Sequence, residues 1–191
     1  MPQVCLFISC VSNEFGQYRD AMRKDFSRPN LTTKIQEDFI AYGVSALQKL
    51  DEYIKHCDAV IHICGDMTGS MANALSLEYI NHVYKDFGTR FPVLLPALNG
   101  NEQLSYTQWE AWLAAYHKKT LLIAKPSAEA VRYSSYEFQA EQQKSQQLHL
   151  RRLTSCGHHN EIKFSSEDEL IKILYRSIDQ ACSSYFPSYP P

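Results

Sequence analysis

Long apolar runs are missing from this chain. None approaches the length needed to cross a bilayer, and the opening MPQVCLFISC has neither the basic start nor the small-residue cleavage site of a secretory leader. A cytoplasmic protein without a membrane partner is therefore expected. An excess of one charge is missing too: 19 Lys and Arg against 21 Asp and Glu give a formal net charge of −2. That balance lacks the electrostatic footprint of a nucleic-acid binder, so no nucleic acid is expected among the partners. The six cysteines, Cys5, Cys10, Cys57, Cys64, Cys156 and Cys182, include no C-x-x-C pair, and several lie in apolar runs where a reduced thiol acts as a small hydrophobe. A disulfide framework is not expected. Neither a G-x-G-x-x-G fingerprint nor a G-x-x-x-x-G-K-[ST] loop occurs, which leaves dehydrogenase and NTPase readings without a motif. No internal repeat is present.

What the chain does contain is enough apolar material, 45% of 191 residues, to bury one sizeable core. The expected organisation is a single domain over 1–184, with 185–191 as a tail or a linker to an absent domain. QVCLFISC reads as a buried strand that runs into the polar loop VSNEFG, followed by a helix with Asn13 as its cap and Phe15, Tyr18, Met22 and Phe26 as its apolar stripe. TTKIQEDF offers a weak second strand. Ser45 caps the amphipathic helix ALQKLDEYIKHC, and AVIHICG is the next buried strand. Near-continuous apolar strands alternating with helices predict an α/β domain: a parallel sheet of four to five strands, covered on both faces, with ligands beyond the carboxyl ends of the strands. Residues 71–104 are long for a simple crossover and suggest a lid. TLLIAKP and EIKF add strands. YEFQAEQQKSQQLHLRRL reads as a long polar helix whose apolar residues, Phe138, Leu148 and Leu150, are sparse for a core face. Ser166 and Glu169 open a final helix as a capping box.

In SYTQWEAWLAAYHKKTLLI, Trp109, Trp112, Leu113 and Tyr116 cluster on a helical wheel, while Tyr106, Glu110 and His117 share the flank of that cluster. Glu110 thus stands at the edge of a buried face. One account is that it stabilises the first helical turn through the macrodipole. Another is that it carries chemistry.

The first strand, loop and helix (VCLFISCVSNEFGQYRDAM), the segment EDFIAYGVSALQKLDEYIKHCDAVIHICGD and the aromatic-x-x-x-Glu spacing of Tyr106 and Glu110 together resemble the Toll/interleukin-1 receptor (TIR) domain family, most closely the TIR-like N-terminal modules of bacterial multidomain proteins. The likeness spans roughly residues 3–126. It implies a flavodoxin-like three-layer fold and an NAD+ nucleosidase that hydrolyses the nicotinamide–ribose bond, with NAD+ as substrate, no cofactor and no metal. Glu110 would be the catalytic carboxylate that offsets oxocarbenium charge on the ribose. Tyr106 and Trp109 would wall the pocket, and Ser9, Cys10, Val11 and Ser12 of the first loop, with Asp38, Phe39 and Gly43 of the BB-loop, would line it. The resemblance also implies homotypic TIR–TIR self-association, a fused or associated sensor or NTPase domain, and a role in bacterial antiviral defence.

Each of these residues has a simpler account. Ser9 and Ser12 could end a strand, Gly43 could serve a turn, Tyr106 and Trp109 could be core, and Arg19 could lie on a solvated helix face rather than reach a phosphate. His62 reads as a satisfied core histidine. CGHH (Cys156, His158, His159) lacks a second ligand pair for structural zinc, and the adjacent His56, Cys57 and Asp58 point in different directions on a helix. Two rival functions stand beside the first: a non-enzymatic adaptor acting by homotypic contacts, and an enzyme like the nucleoside deoxyribosyltransferases, which also uses a glutamate but acts on nucleosides.

Overall fold

Five parallel strands form the centre of the computed structural model, which describes residues 4–36, 45–159 and 161–182. They are β1 (Val4–Ser9), β2 (Leu31–Lys34), β3 (Ala59–Ile63), β4 (Thr120–Pro126) and β5 (Glu161–Phe164), in the order β2-β1-β3-β4-β5. Register is continuous across the sheet: Leu6 pairs with Ala59, Ala59 with Thr120, and Ile123 with Glu161. The chain steps outward from β1 to β2 and then returns to the other side of β1 to lay down β3. The crevice between the carboxyl ends of β1 and β3 is therefore the topological switch point of a doubly wound sheet.

Alternate strand residues feed two separate cores. Phe7, Val60, Leu121 and Ile123 face one layer, formed by α2 (Ala46–His56), α6 (Tyr106–Tyr116) and α7 (Ala140–Ser155). Leu6, Ile8, Ile61, Leu122 and Phe164 face the other, where α1 (Ser12–Asp25) and α8 (Glu167–Cys182) supply Phe15, Tyr18, Met22, Leu170 and Leu174. Burial on both faces explains why the strands read as unbroken apolar runs. No helix among the described residues is long and apolar enough to cross a membrane.

Residues 71–104 do not form a lid. They fold into α3 (Ala74–Val83, capped by Asn73), the short helices α4 (Phe87–Arg90) and α5 (Leu95–Leu98), and a 3-10 turn between them. Ile80, Phe87, Phe91, Leu94 and Leu104 from this segment are buried in the first core. The Phe87 ring stacks on Tyr116 at 4.9 Å, and that of Phe91 lies 5.3 Å from Trp112. An apolar load of this size drives the segment into the layer rather than over a pocket.

A buried carboxylate joins the same layer. Asp51 of α2 accepts hydrogen bonds from the hydroxyls of Tyr79 (2.7 Å) and Tyr84 (2.6 Å) and pairs with His117 Nε2 at 2.6 Å. Burial works to raise its pKa, but the hydrogen bonds from His117, Tyr84 and Tyr79 outweigh it and hold the carboxyl below its ordinary value.

Candidate functional site

The carboxyl end of β1 turns through Cys10 and Val11 directly into α1. The cap is Val11, whose carbonyl accepts from the amides of Glu14 and Phe15; Asn13, expected to cap, lies inside the helix. Phe15 departs from helical geometry (φ −131°, ψ 22°) and kinks this first turn. Ser12 Oγ accepts from Arg19 Nη1 at 2.8 Å, and Arg19 also pairs with Asp20. Arg19 is therefore occupied in shaping the loop.

Opposite this loop, β3 leads into residues 64–70. Gly69 has φ +76°, a conformation that favours glycine, and a Cβ built there would lie 3.3 Å from Val11 and 3.4 Å from Thr107. The loop is pinned to the start of α6 by the Tyr106 amide, which donates to the Ser70 carbonyl at 3.0 Å, while Ser105 and Gln108 close that helix with a capping box. Between these elements lies a cleft of about 180 Å³, lined by Cys10–Asn13, Gln36, Gly69, Ser70, Tyr106 and Thr107. It occupies the switch point of the sheet.

The expected site residues divide around this cleft. Cys10, Val11, Ser12 and Tyr106 line it, and Tyr106 is held by a 3.3 Å contact between its hydroxyl and that of Ser76. Ser9 sits behind it, buried, with Oγ 2.9 Å from His62 Nδ1. Trp109 does not wall the cleft: its indole is in the core, 5.8 Å from Phe87, because the wheel position that suits a pocket wall also faces the 71–104 segment. Glu110 is 2% exposed, partnered, and one helical turn from Tyr106, but it is not among the residues lining the cleft. Asp38, Phe39 and Gly43 lie outside the described residues.

Ser9 begins a buried polar chain. His62 Nε2 and His149 Nε2 are 3.2 Å apart, and His149 Nδ1 has no hydrogen-bond partner among the described residues. An unpaired buried lone pair costs less than an unpaired buried N–H, so the favoured arrangement has His149 Nε2–H donating to His62 Nε2 and His62 Nδ1–H donating to Ser9 Oγ. Burial pushes His62 down to about 4 and His149 well below its ordinary value, which keeps both rings neutral.

Sequence reasoning missed the most heavily bonded group at this end of the sheet. The Glu14 carboxylate is fully buried and accepts from the Asp66 amide (3.0 Å), the Met67 amide (2.8 Å) and Arg132 Nε (2.9 Å). Burial raises its pKa despite the opposing pull of those amides and of the Arg132 charge. Asp66 in turn accepts from Tyr136 and Gln143, both at 2.9 Å, so one node joins the loops after β1, β3 and β4. The available signal was an acid in the first turn of a helix directly after a buried strand. Its partner Arg132 lies more than a hundred residues away, where no local pattern reaches it.

Beside this node a larger cavity of about 600 Å³ is lined by Asp66, Lys125, Arg132, Gln143, Gln146 and Arg151, among others. Many of its polar groups are already paired within the protein. Lys125 pairs with Glu161, Arg132 with Glu14 and Asp66, and Gln146 bonds both Gln108 and the Met67 carbonyl. The switch-point cleft, with its serine, asparagine, glutamine, threonine and tyrosine lining, is the better candidate for a small polar ligand.

Fold and site together define a doubly wound α/β domain with a polar cleft at the switch point of its sheet. The chain belongs to the family described as Domain of unknown function (DUF4062), whose profile matches residues 5–179. No curated protein matches it by sequence. A solved 2-desoxiribosyltransferase from Leishmania mexicana is similar at 17% identity, covering 66% of this chain and 67% of that one with a TM-score of 0.40. Membership of the DUF4062 family corrects the resemblance to TIR domains, and the expectations of NAD+ chemistry and antiviral defence that hung on that resemblance fall with it.

Proposed function

We propose that the switch-point cleft binds the sugar of a nucleoside and that the protein is an enzyme of N-glycosidic bond chemistry, exchanging or releasing the base. The observation that carries this reading is the placement of Tyr106 in the cleft with the buried carboxylate of Glu110 one turn along the same helix face. Side chains at that spacing stand about 5–6 Å apart at Cβ, so a sugar seated against Tyr106 lies within reach of a carboxylate. A cleft of about 180 Å³ has the room of about six water molecules, enough for a pentose. In the proposed reaction Glu110 attacks C1′ as the C1′–N bond breaks and the base departs with a proton from solvent. A second base or water then attacks C1′ and releases the carboxylate. Ser12, Asn13 and Thr107 supply hydrogen-bonding groups for the sugar hydroxyls.

One observation favours a second reading, a nucleoside-binding module without turnover: Glu110 is partnered and does not line the cleft. Incubation with 2′-deoxynucleosides and a free acceptor base, followed by chromatography, separates the two. Base release or exchange that disappears in Glu110→Gln while binding persists supports the enzyme. Binding that weakens in Tyr106→Ala, with no turnover in the native chain, supports the module. Absence of binding removes both.

A further inference from the structure

At the opposite end of the sheet, two cysteines distant in sequence meet. Cys5 is the second residue of β1 and half-buried; Cys57 ends α2 and is 1% exposed. Their sulfur atoms are 3.1 Å apart. The approach is fixed by the backbone: the Cys5 amide donates to Asp58 Oδ2 at 2.8 Å, and the Asp58 amide donates to the Cys5 carbonyl at 2.8 Å. A cleft of about 280 Å³, lined by Cys5, Lys34, Glu52, Tyr53, His56 and Cys57, opens onto the pair.

We propose that Cys5 and Cys57 form a redox-active dithiol, in which a peroxide oxidises Cys5 and Cys57 resolves it to a reversible disulfide. Neither the nucleoside reading nor the family description assigns this site. The two thiols are unequal in the way the chemistry requires. Either sulfur can donate across this contact; with the Cys57 S–H donating, the bond and the Lys34 charge lower the Cys5 pKa against the effect of burial, while the same bond and burial raise that of Cys57. Among the described residues the main charged groups acting on Cys5 are Lys34 from β2 and His56 from α2, which favour the thiolate, and Asp58 from the turn before β3, which opposes it, while Glu52 lines the same cleft. Cys64 offers a contrast, since it is buried and burial pushes its thiol up.

The steps balance. The Cys5 thiolate attacks one oxygen of hydrogen peroxide, the O–O bond breaks, and Cys5 becomes a sulfenic acid with release of hydroxide. The Cys57 sulfur then attacks the Cys5 sulfur, the S–O bond breaks, and the two released hydroxides take up the two thiol protons as water. Two thiols and one peroxide give one disulfide and two waters. The sulfurs need to close by about 1 Å to reach bonding distance.

The test treats the whole chain with one equivalent of hydrogen peroxide, blocks remaining thiols with N-ethylmaleimide, and digests with chymotrypsin and Asp-N. Cleavage at Leu6 or Phe7 and before Asp58 separates Cys5 from Cys10 and Cys57 from Cys64. The expected product is a Cys5–Cys57 cross-linked peptide that dithiothreitol releases, with Cys57→Ser yielding a dimedone adduct on Cys5 and no cross-link. Recovery of Cys5 and Cys57 both blocked by maleimide, oxidation of Cys10 or Cys156 ahead of Cys5, or a cross-link only between chains would overturn the assignment. None of these outcomes depends on the cleft at the other end of the sheet.

Discussion

Replacing Gly65 by alanine adds one methyl group at a position whose backbone does not require glycine, since its φ is not in the left-handed region. The cost is steric. A Cβ at Gly65 would lie 2.2 Å from Glu14 Oε1, 2.4 Å from its Cδ and 2.5 Å from Oε2, well inside contact distance. Relief requires the carboxylate to retreat by about 1 Å, yet it is fully buried and held by Asp66, Met67 and Arg132. Hydrogen bonds to a charged group contribute about 1.5–3 kcal/mol each, so losing two of them predicts a destabilisation of about 4 kcal/mol. In urea, with a slope of about 2 kcal/mol/M, the unfolding midpoint followed by circular dichroism should fall by about 2 M. A double-mutant cycle isolates the cause. Glu14→Ala alone should cost about 3–5 kcal/mol by stranding Arg132 and two amides, but in that background Gly65→Ala should be nearly silent. An equal cost of Gly65→Ala in both backgrounds would refute the steric argument.

Four further outcomes are expected. Asp51→Ala strands two tyrosine hydroxyls and His117 and should cost about 3 kcal/mol, lowering Tm by about 9 °C; an unchanged melt would mean the network contributes nothing. Between pH 6.5 and about 4 the unfolded chain takes up a proton at His62 while the folded chain does not, so stability should fall by about 3 kcal/mol as the pH drops through that window, and His62→Gln should flatten the decline. The buried carboxylates act in opposite directions. Asp51, held below its ordinary value, contributes stability above its unfolded pKa that is lost as pH falls through the folded one, whereas Glu14, raised, contributes below its unfolded pKa and loses that contribution as pH rises; urea midpoints of Asp51→Asn and Glu14→Gln across pH 3 to 7 should diverge from native with opposite slopes. Arg152→Ala breaks a bidentate pair with Glu102 at 2.7 and 2.8 Å that ties α7 to the 71–104 segment. The pair is only partly buried, so a loss of about 1 kcal/mol is expected in the same denaturation assay.

The resemblance to TIR domains failed for a reason visible in the residues that carried it. A buried strand, a polar loop, an amphipathic helix and an aromatic-x-x-x-Glu spacing are what any doubly wound domain needs to pack its first βαβ units and its central helix. Trp109, expected beside that pair as a pocket wall, packs on Phe87 instead of facing a ligand. The polar reading of α7 failed differently. Its inward face is Gln146, His149, Leu150 and Leu153, two polar residues among four, and hydropathy cannot register a glutamine or histidine buried against partners elsewhere in the chain.

What the sequence determined by itself was set by local physics. Strand identity followed from short unbroken apolar runs and helix identity from a period of 3.6 in apolar residues, the caps at Ser45 and Ser166 from hydroxyls within reach of the third amide, and the parallel sheet from strands apolar on both faces. The carboxyl-end loops were legible for the same reason. Only the tertiary structure decided which loops meet: that Glu14 would close on Gly65 and Arg132, that Ser9, His62 and His149 would share one buried chain, and that Cys5 would touch Cys57. Those contacts join residues 51 to 118 positions apart, and such contacts depend on sheet order and helix docking, which no window of sequence contains.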